Sequence, residues 1–89
     1  MTDIRDNKAE GRFELDVEGH MAVAYYKLSA DVITFTHTEV PDALAGRGIG
    51  SKLAKGALDH VRARKLKVVA QCPFIAGYIG KHPEYQDLL

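Results

Sequence analysis

The chain has 89 residues, and its twelve basic side chains balance twelve acidic ones, so its formal net charge is zero with the four histidines neutral. That length allows one domain and is too short for two. An apolar fraction of 46% is ordinary for a folded globular protein. The balanced charge argues against general nucleic-acid binding and against a polybasic membrane-binding surface, since both depend on an excess of Lys and Arg.

Cysteine usage and the polar start of the chain indicate the compartment. Cys72 is the single cysteine, so no disulfide can form within the chain, and a reducing compartment fits best. The first eight residues lack the apolar stretch of a signal peptide, and no apolar run approaches the roughly 20 residues that cross a bilayer. We therefore expect a cytoplasmic protein with no membrane partner. The four histidines show no metal-ligand spacing, so we expect no metal.

The first half of the chain predicts strands. Residues 1–11 are polar and end in a glycine, and we expect a flexible lead-in to a domain over residues 12–89. Residues 12–18 alternate apolar and polar side chains, which is the period of a half-buried strand. After a Gly-His turn, residues 21–28 form a second strand and complete a hairpin. Residues 32–40 are rich in β-branched and aromatic side chains and form the third strand, which the following proline ends.

The second half predicts one long helix between two strands. A glycine turn leads into a helical pattern from about residue 48 to 64, with apolar side chains every four residues. Residues 66–71 form a fourth strand, and residues 73–80 form a short helix that begins at a proline. Strand, helix and strand make a βαβ unit, so the third and fourth strands should be parallel neighbours. The predicted fold class is α+β, an antiparallel meander followed by a βαβ unit, with the long helix on a mixed sheet.

The segment Gly46-Arg47-Gly48-Ile49-Gly50-Ser51 lies at the start of the long helix. The first N–H groups of a helix have no internal partner, and glycines let an anion approach them without meeting Cβ atoms. Such a turn binds phosphate well at the positive helix end, and the alternative is a turn with only a geometric role. A Walker A loop is excluded because Lys52 does not follow a glycine. The dinucleotide fingerprint is excluded because Ser51 takes its third glycine position.

This segment resembles motif A of the GNAT acetyltransferases, with Gly48 and Gly50 at the two small positions of that motif. The chain is similar to the short, single-domain members of that superfamily in bacteria and eukaryotes. Their signature also resembles the stretches His37-Thr-Glu-Val-Pro41, Cys72-Pro-Phe74 and Lys81-His-Pro-Glu-Tyr85. The resemblance covers about residues 13–88 and implies a GNAT-like fold, in which the two parallel strands splay apart at their C-terminal ends and hold a thioester between them.

The resemblance implies that acetyl-CoA is the co-substrate and that its pyrophosphate binds the N–H groups of the glycine turn. Ala45 stands where the family has Arg or Gln, so one phosphate contact would be missing, although Arg47 could supply it. A bulky residue at Gly48 or Gly50 should place a Cβ where the phosphate sits. The residues expected to bind the cofactor are Val40, Ala45, Gly46, Arg47, Gly48, Ile49, Gly50 and Ser51.

Acetyl transfer to an amine needs a base for the amine, a polarised carbonyl and an acid for the departing thiolate. Glu39 and His37 are candidate bases, although the first could be a solvated carboxylate and the second a core residue. Without a bulge in the third strand, His37 shares a face with Ile33 and Phe35, and a bulge would change that facing. Cys72 could carry the acetyl group, act as an acid towards the thiol, or only pack.

We therefore expect an acyl-CoA-dependent N-acetyltransferase that moves an acetyl group from acetyl-CoA to an unidentified amine. An open cleft could take a large acceptor, such as an amine of a protein or peptide. One alternative is a CoA-binding or acyl-CoA-binding module with little or no transferase activity, which Ala45 favours. Another is a small interaction protein whose glycine turn has no functional role.

Tyr78 and Tyr85 are further candidates for the acid that protonates the departing thiolate, or they are core residues. The sequence leaves the oligomeric state open.

Overall fold

In the part of the chain that the structure describes, five strands form one sheet, and their order across the sheet follows their order along the chain. The computed structural model of the protein describes residues 4–89. Neighbouring strands are antiparallel from the first to the fourth, and the fourth and fifth run parallel. The strands are β1 (Ile4–Asn7), β2 (Arg12–Val17), β3 (His20–Ser29), β4 (Val32–Glu39) and β5 (Lys67–Ala70).

The helices complete the predicted βαβ unit, because α1 connects β4 to β5 and α2 follows β5. The α+β fold class is confirmed, as are the mixed sheet, the long helix and the short C-terminal helix. Within residues 4–89, no helix is both long and apolar enough to cross a membrane. The α-helices are α1 (Ile49–Ala63) and α2 (Pro73–Lys81), and the 3₁₀ helices are Asp42–Leu44 and Pro83–Leu88.

The expected lead-in contains a strand. Residues 4–7 form β1, which pairs with β2 and places Ile4 opposite Leu15. The side chain of Ile4 lies over Gly56 of α1, where an added methyl group would collide with it. A four-residue strand with one apolar side chain is too short to show an alternation of apolar and polar residues in the sequence. Its position depends on its contact with α1, which is about fifty residues away in the chain. Residues 1–3 of the expected lead-in lie outside the described residues.

The core lies between the sheet and α1. Phe13, Tyr26 and Phe35 form an aromatic row across β2, β3 and β4, with ring centroids 5.2 Å apart for the first two residues and 6.0 Å apart for Phe13 and Phe35. Ala22 and Ala24 are fully buried on β3, and their small side chains let α1 lie close to the middle of the sheet. The helix buries the apolar stripe that its periodicity predicts, namely Ile49, Leu53, Ala54, Ala57, Leu58 and Val61.

The opposite face of the sheet carries a buried carboxylate. Glu14 is only 4% exposed, because three donors surround it. Arg12 Nε donates a hydrogen bond of 2.6 Å to its Oε2, Asn7 Nδ2 donates one of 2.9 Å, and an Arg5 guanidinium nitrogen lies 3.1 Å from Oε1. These hydrogen bonds, above all the one from Arg12, lower the pKa of Glu14. The cluster ties β1 to β2 on the face that α1 leaves open.

Replacing Glu14 with Gln should destabilise the fold at pH 7 by about 1–3 kcal/mol, because it removes charge-assisted hydrogen bonds from a buried group. The lowered pKa of Glu14 means that its stabilisation is fully present above the unfolded value of 4.5 and is lost as pH falls through the lower folded value. Urea unfolding at pH 7, 5 and 3 measures both effects. Glu10→Gln, at an exposed position, is the control for the lost charge. A parallel pH dependence for Glu14→Gln and wild type would contradict this account.

Candidate functional site

A β-bulge near the end of β4 decides where the candidate bases point. Tyr26 pairs with Phe35, but Tyr25 pairs with His37, so Thr36 is an extra residue on β4. Phe35 is buried in the core, whereas His37 lies exposed on the opposite face. The shared face that His37 would have with Phe35 in a regular strand therefore does not exist, because the bulge reverses the alternation.

His37 and Glu39 form a pair on this outer face. The distance from His37 Nε2 to Glu39 Oε2 is 3.1 Å, and the two side chains are 62% and 60% exposed. The ring of Tyr25 stacks beside the imidazole of His37, with centroids 6.3 Å apart and planes at 17°. Because His37 and Glu39 are two residues apart on a strand, their side chains project to the same face of the sheet. The imidazole and the carboxylate are therefore both open to solvent on that face.

The parallel pairing of β4 and β5 ends at Phe35. The carbonyl oxygen of Phe35 accepts hydrogen bonds from the N–H groups of Gln71 at 3.0 Å and Cys72 at 2.9 Å, and the chain then enters α2. β4 continues to Glu39 with pairing to β3 alone. Within residues 4–89, the other edge of residues 36–39 therefore has no strand beside it. We call this gap between the end of β4 and the start of α2 the strand notch.

Cys72 lies at the base of the strand notch. It is 2% exposed, and its Sγ lies 3.2 Å from the hydroxyl oxygen of Thr38. Cys72 precedes Pro73 as the N-cap residue of α2, but its side chain makes no capping hydrogen bond. Thr38 was not identified from the sequence, because only the bulge turns it towards α2. Burial and the contact with Thr38 indicate a thiol packed into the base of the notch.

The glycine turn borders a cavity of about 290 Å³, which we call the turn cavity. Gly46 and Gly48 have φ angles of +78° and +71°, where a Cβ would be strained, and a side chain at either position would project into open space. Gly48 is the N-cap residue of α1 and offers no side-chain oxygen, so among the described residues no side chain caps the first N–H groups of that helix, and they can bind a ligand. The cavity is lined by Val40, Leu44, Ala45, Gly46, Gly48, Ile49, Gly50, Ser51 and Phe74.

Every residue that the sequence predicts to bind the cofactor, except Arg47, lines the turn cavity. Arg47 instead makes two hydrogen bonds to Glu18 in the β2–β3 turn, at 2.7 and 3.2 Å, and both side chains are exposed. Gly50 also differs from expectation, since a Cβ there would lie 2.7 Å from the ring of Phe74 rather than in the phosphate position. A side chain at residue 50 would thus have to displace the ring of Phe74, and Phe74 and Leu44 are cavity residues that the sequence does not identify.

Both tail tyrosines, Tyr78 and Tyr85, pack against neighbouring side chains. The hydroxyl group of Tyr85 donates a 2.7 Å hydrogen bond to Asp59 of α1, and burial together with that bond raises its pKa. Tyr78 stacks on His82, with ring centroids 3.9 Å apart, and burial raises its pKa too. The hydrogen bond from Tyr85 to Asp59 also joins the Pro83–Leu88 helix to α1, with Tyr85 buried. Within the described residues, no group of three or more His, Cys, Asp or Glu side chains could hold a metal ion.

Comparisons with known proteins agree with this geometry. A family model described as GCN5-related N-acetyltransferase matches residues 12–88. The protein NATD1 of mouse is 42% identical over 88 residues, which are 96% of this chain and 80% of the mouse protein. The human protein NATD1 is 42% identical over 64 residues, which are 72% of this chain and 57% of the human protein.

A solved structure has the same fold. The solution NMR structure of a GCN5-like protein from Staphylococcus aureus superimposes with a TM-score of 0.73 at 34% sequence identity, covering 97% of this chain and 85% of that one. Fold and site together define a small acetyltransferase domain. The chain belongs to the GCN5-related N-acetyltransferase family, whose members generally use acetyl-CoA.

The burial of Cys72 gives a direct test of its accessibility. Iodoacetamide should modify Cys72 in the native protein at least about tenfold more slowly than in the urea-unfolded chain, because the thiolate must be both formed and exposed to react. Mass spectrometry of the time course measures both rates, and the unfolded sample is the internal control. Equal rates in the two states would show that the thiol is open in solution and would revive its role as a nucleophile.

Proposed function

We propose that this protein transfers an acetyl group from acetyl-CoA to an amine. The observation that carries the proposal is the position of the turn cavity, which lies at the N-terminus of α1 and includes Val40, the residue that follows β4. A ligand whose anionic part binds at the helix end can therefore extend along the chain towards the strand notch. An acyl-CoA has this layout, with a pyrophosphate at one end of a linear arm and a thioester at the other.

The pyrophosphate would bind the free N–H groups at residues 49–51. Those donors and the helix dipole favour an anion, and the positive φ angles of Gly46 and Gly48 bend the backbone around the space that the anion would occupy. Because Arg47 is already bound to Glu18, the backbone supplies the donors. The N-acetyltransferase assignment of the family supports this use of the turn.

The strand notch suits the rest of the arm. The pantetheine part of CoA carries two amides, and the unpaired edge of residues 36–39 offers backbone N–H and C=O groups of the kind that bind extended amides. The thioester would then lie near Thr38 and Cys72 at the base of the notch. A thiol and a hydroxyl group there can donate to the leaving sulfur.

The amine would approach from the face that carries His37 and Glu39. In the proposed step the amine nitrogen attacks the thioester carbonyl carbon, Glu39 accepts the amine proton, the C–S bond breaks, and the departing thiolate takes a proton from Cys72 or from water. His37, 3.1 Å from Glu39, would hold that carboxylate in place. Both side chains are exposed, so the acceptor can be bulky, and an amine of a protein or peptide fits. The burial of Cys72 favours direct transfer over an acetyl-cysteine intermediate.

The second candidate function is an acyl-CoA-binding module with little transfer. Ala45 lines the turn cavity without a polar side chain, and Arg47 is turned away from it. These two observations favour weak phosphate binding and leave the catalytic pair untouched. Cofactor affinity and turnover therefore have to be measured separately.

Ser51→Asp separates cofactor binding from folding. Ser51 is the third residue of α1, whose first turn holds no acidic side chain, so an Asp there should keep or raise stability while its charge repels the pyrophosphate. We expect acetyl-CoA affinity, measured by calorimetry, to fall at least about tenfold, or 1.4 kcal/mol. Ser29→Asp, exposed at the end of β3, adds the same charge elsewhere and should change little. Equal losses in both variants would remove the helix end as the binding site.

Glu39→Gln tests the transfer step. With the base removed, release of free CoA in the presence of a panel of peptide amines should fall by about a hundredfold at pH 7, and acetyl-CoA affinity should stay the same. His37→Gln should reduce the rate less, because it only positions Glu39. Cys72→Ala should keep most of the activity. If the wild type binds acetyl-CoA and releases no CoA with any amine of the panel, the binding module is the correct function.

A further inference from the structure

A row of paired side chains crosses the outer face of the sheet, the face opposite α1, and ends at the candidate bases. Arg12 on β2 pairs with Tyr25 on β3, and Tyr25 pairs with His37 on β4. Side chains directly opposite each other on neighbouring strands lie close enough to interact. We call Arg12, Tyr25 and His37 the cross-strand row. The bulge creates this row, because an uninterrupted register would place Thr36 opposite Tyr25.

Each member of the cross-strand row contacts the next. Nη1 of Arg12 donates a hydrogen bond of 3.1 Å to the hydroxyl oxygen of Tyr25, and the guanidinium carbon lies 5.7 Å from the centre of the Tyr25 ring. The same ring stacks beside the imidazole of His37, with the two planes at 17°. His37 Nε2 in turn lies 3.1 Å from Glu39. A continuous series of contacts therefore connects Arg12 to the carboxylate that is the proposed base.

The other end of the cross-strand row is anchored in a buried group. Arg12 Nε donates its 2.6 Å hydrogen bond to Glu14, which is almost fully buried, and the Arg12 side chain itself is mostly buried. That charge-assisted bond fixes the guanidinium, whose planar arrangement of donors then fixes where the hydroxyl group of Tyr25 can lie. The Glu14 cluster therefore holds the ring of Tyr25 in place through Arg12.

The exposed end of the row needs this support. The side chains of His37 and Glu39 are both more than half exposed, and an exposed pair of this kind is weak because each side chain keeps much of its rotamer freedom. A general base has to stay within hydrogen-bond reach of the proton that it accepts. The ring of Tyr25 removes part of that freedom, since the imidazole of His37 cannot rotate through the space that the ring occupies.

We propose that Tyr25 is a positioning residue for acetyl transfer. It holds the imidazole of His37, and His37 holds the carboxylate of Glu39 towards the incoming amine. The inference rests on the proposed function, because it takes Glu39 as the base. Tyr25 acts on the rate through these two residues and does not take part in acetyl-CoA binding at the turn cavity, which lies at the N-terminus of α1.

The kinetics of Tyr25→Leu test this role. We expect kcat for a peptide amine to fall about tenfold, because the base is no longer held in one place, while KM for the amine and affinity for acetyl-CoA stay within about twofold. Tyr25→Phe keeps the stacked ring and should recover most of the rate. In a His37→Gln background, Tyr25→Leu should cost no further activity, since it acts through His37. Lys27→Leu, on the same face of β3 and paired with Thr34, is the control and should change none of these values.

The motion of His37 gives a test that requires no turnover. NMR relaxation of the imidazole Cε1–H groups, in protein with isotope-labelled histidine, measures ring motion on the picosecond to nanosecond timescale. We expect His37 to be restricted in the wild type and, in Tyr25→Leu, to become as mobile as His20, the exposed histidine that begins β3. Urea unfolding of each variant checks that it is folded under the conditions of the measurement.

The two proposals fail in different ways. If Glu39→Gln loses activity while Tyr25→Leu keeps the wild-type kcat and leaves His37 restricted, this inference is wrong and the proposed function stands. A raised KM at unchanged kcat would also contradict it, because Tyr25 would then be a contact for the amine, and so would an equal loss of rate in the His37→Gln background. If Glu39→Gln transfers as fast as the wild type, or the wild type transfers nothing, the proposed function fails and this inference fails with it.

Discussion

The carbonyl oxygen of Phe35 accepts hydrogen bonds from the N–H groups of Gln71 and Cys72, the two residues after β5, and beyond that point β4 and the chain after β5 separate. A regular parallel pair would have continued and filled the edge of β4 with backbone hydrogen bonds. The bulge lies at Thr36, the residue after Phe35, and it turns the last part of β4 about the axis of the strand. Thr38 therefore faces Cys72, and His37 with Glu39 faces the other way. The notch, its base and the orientation of the two candidate bases all follow from this one divergence.

The divergence also separates two kinds of electrostatic environment. The N-terminus of α1 attracts an anion, and a carboxylate close to a bound pyrophosphate would repel it. Glu39 lies on the face of the sheet that bears the Glu14 cluster, away from α1, so the sheet itself stands between the carboxylate and the anion site. In a chain of 89 residues, using both faces of one sheet keeps the proposed base and the proposed phosphate site apart.

Much of the fold could be predicted from the sequence because its signals are local. The four-residue apolar period gives α1, the alternation over residues 12–18 gives β2, and the glycines at positive φ mark the turn before α1. β1 could not be predicted, since its pairing partner and the helix beneath it are distant in the chain.

The site was harder to predict than the fold. The glycine residues of the turn cavity lie within one short stretch of sequence, residues 46–50, and can be identified there, whereas Leu44 and Phe74 reach the same cavity only after folding. The facing of His37 depends on a bulge, which is fixed by pairing with Tyr25 and Tyr26 and has no signature in the sequence of β4 itself. Arg47 was assigned by proximity in sequence, and its actual partner, Glu18, lies in another turn.

The order of the strands places the shortest ones at the two borders of the sheet. β1 and β5 have four residues each, and the strands between them have six to ten. Exposed strand borders invite other chains to add strands, and a short border bearing a lysine resists this. Lys67 begins β5 and donates to the carbonyl oxygen of Asp87 at 3.2 Å, which keeps its charge at that border. Short border strands and a lysine at the border therefore disfavour the addition of a strand from a second copy at β5.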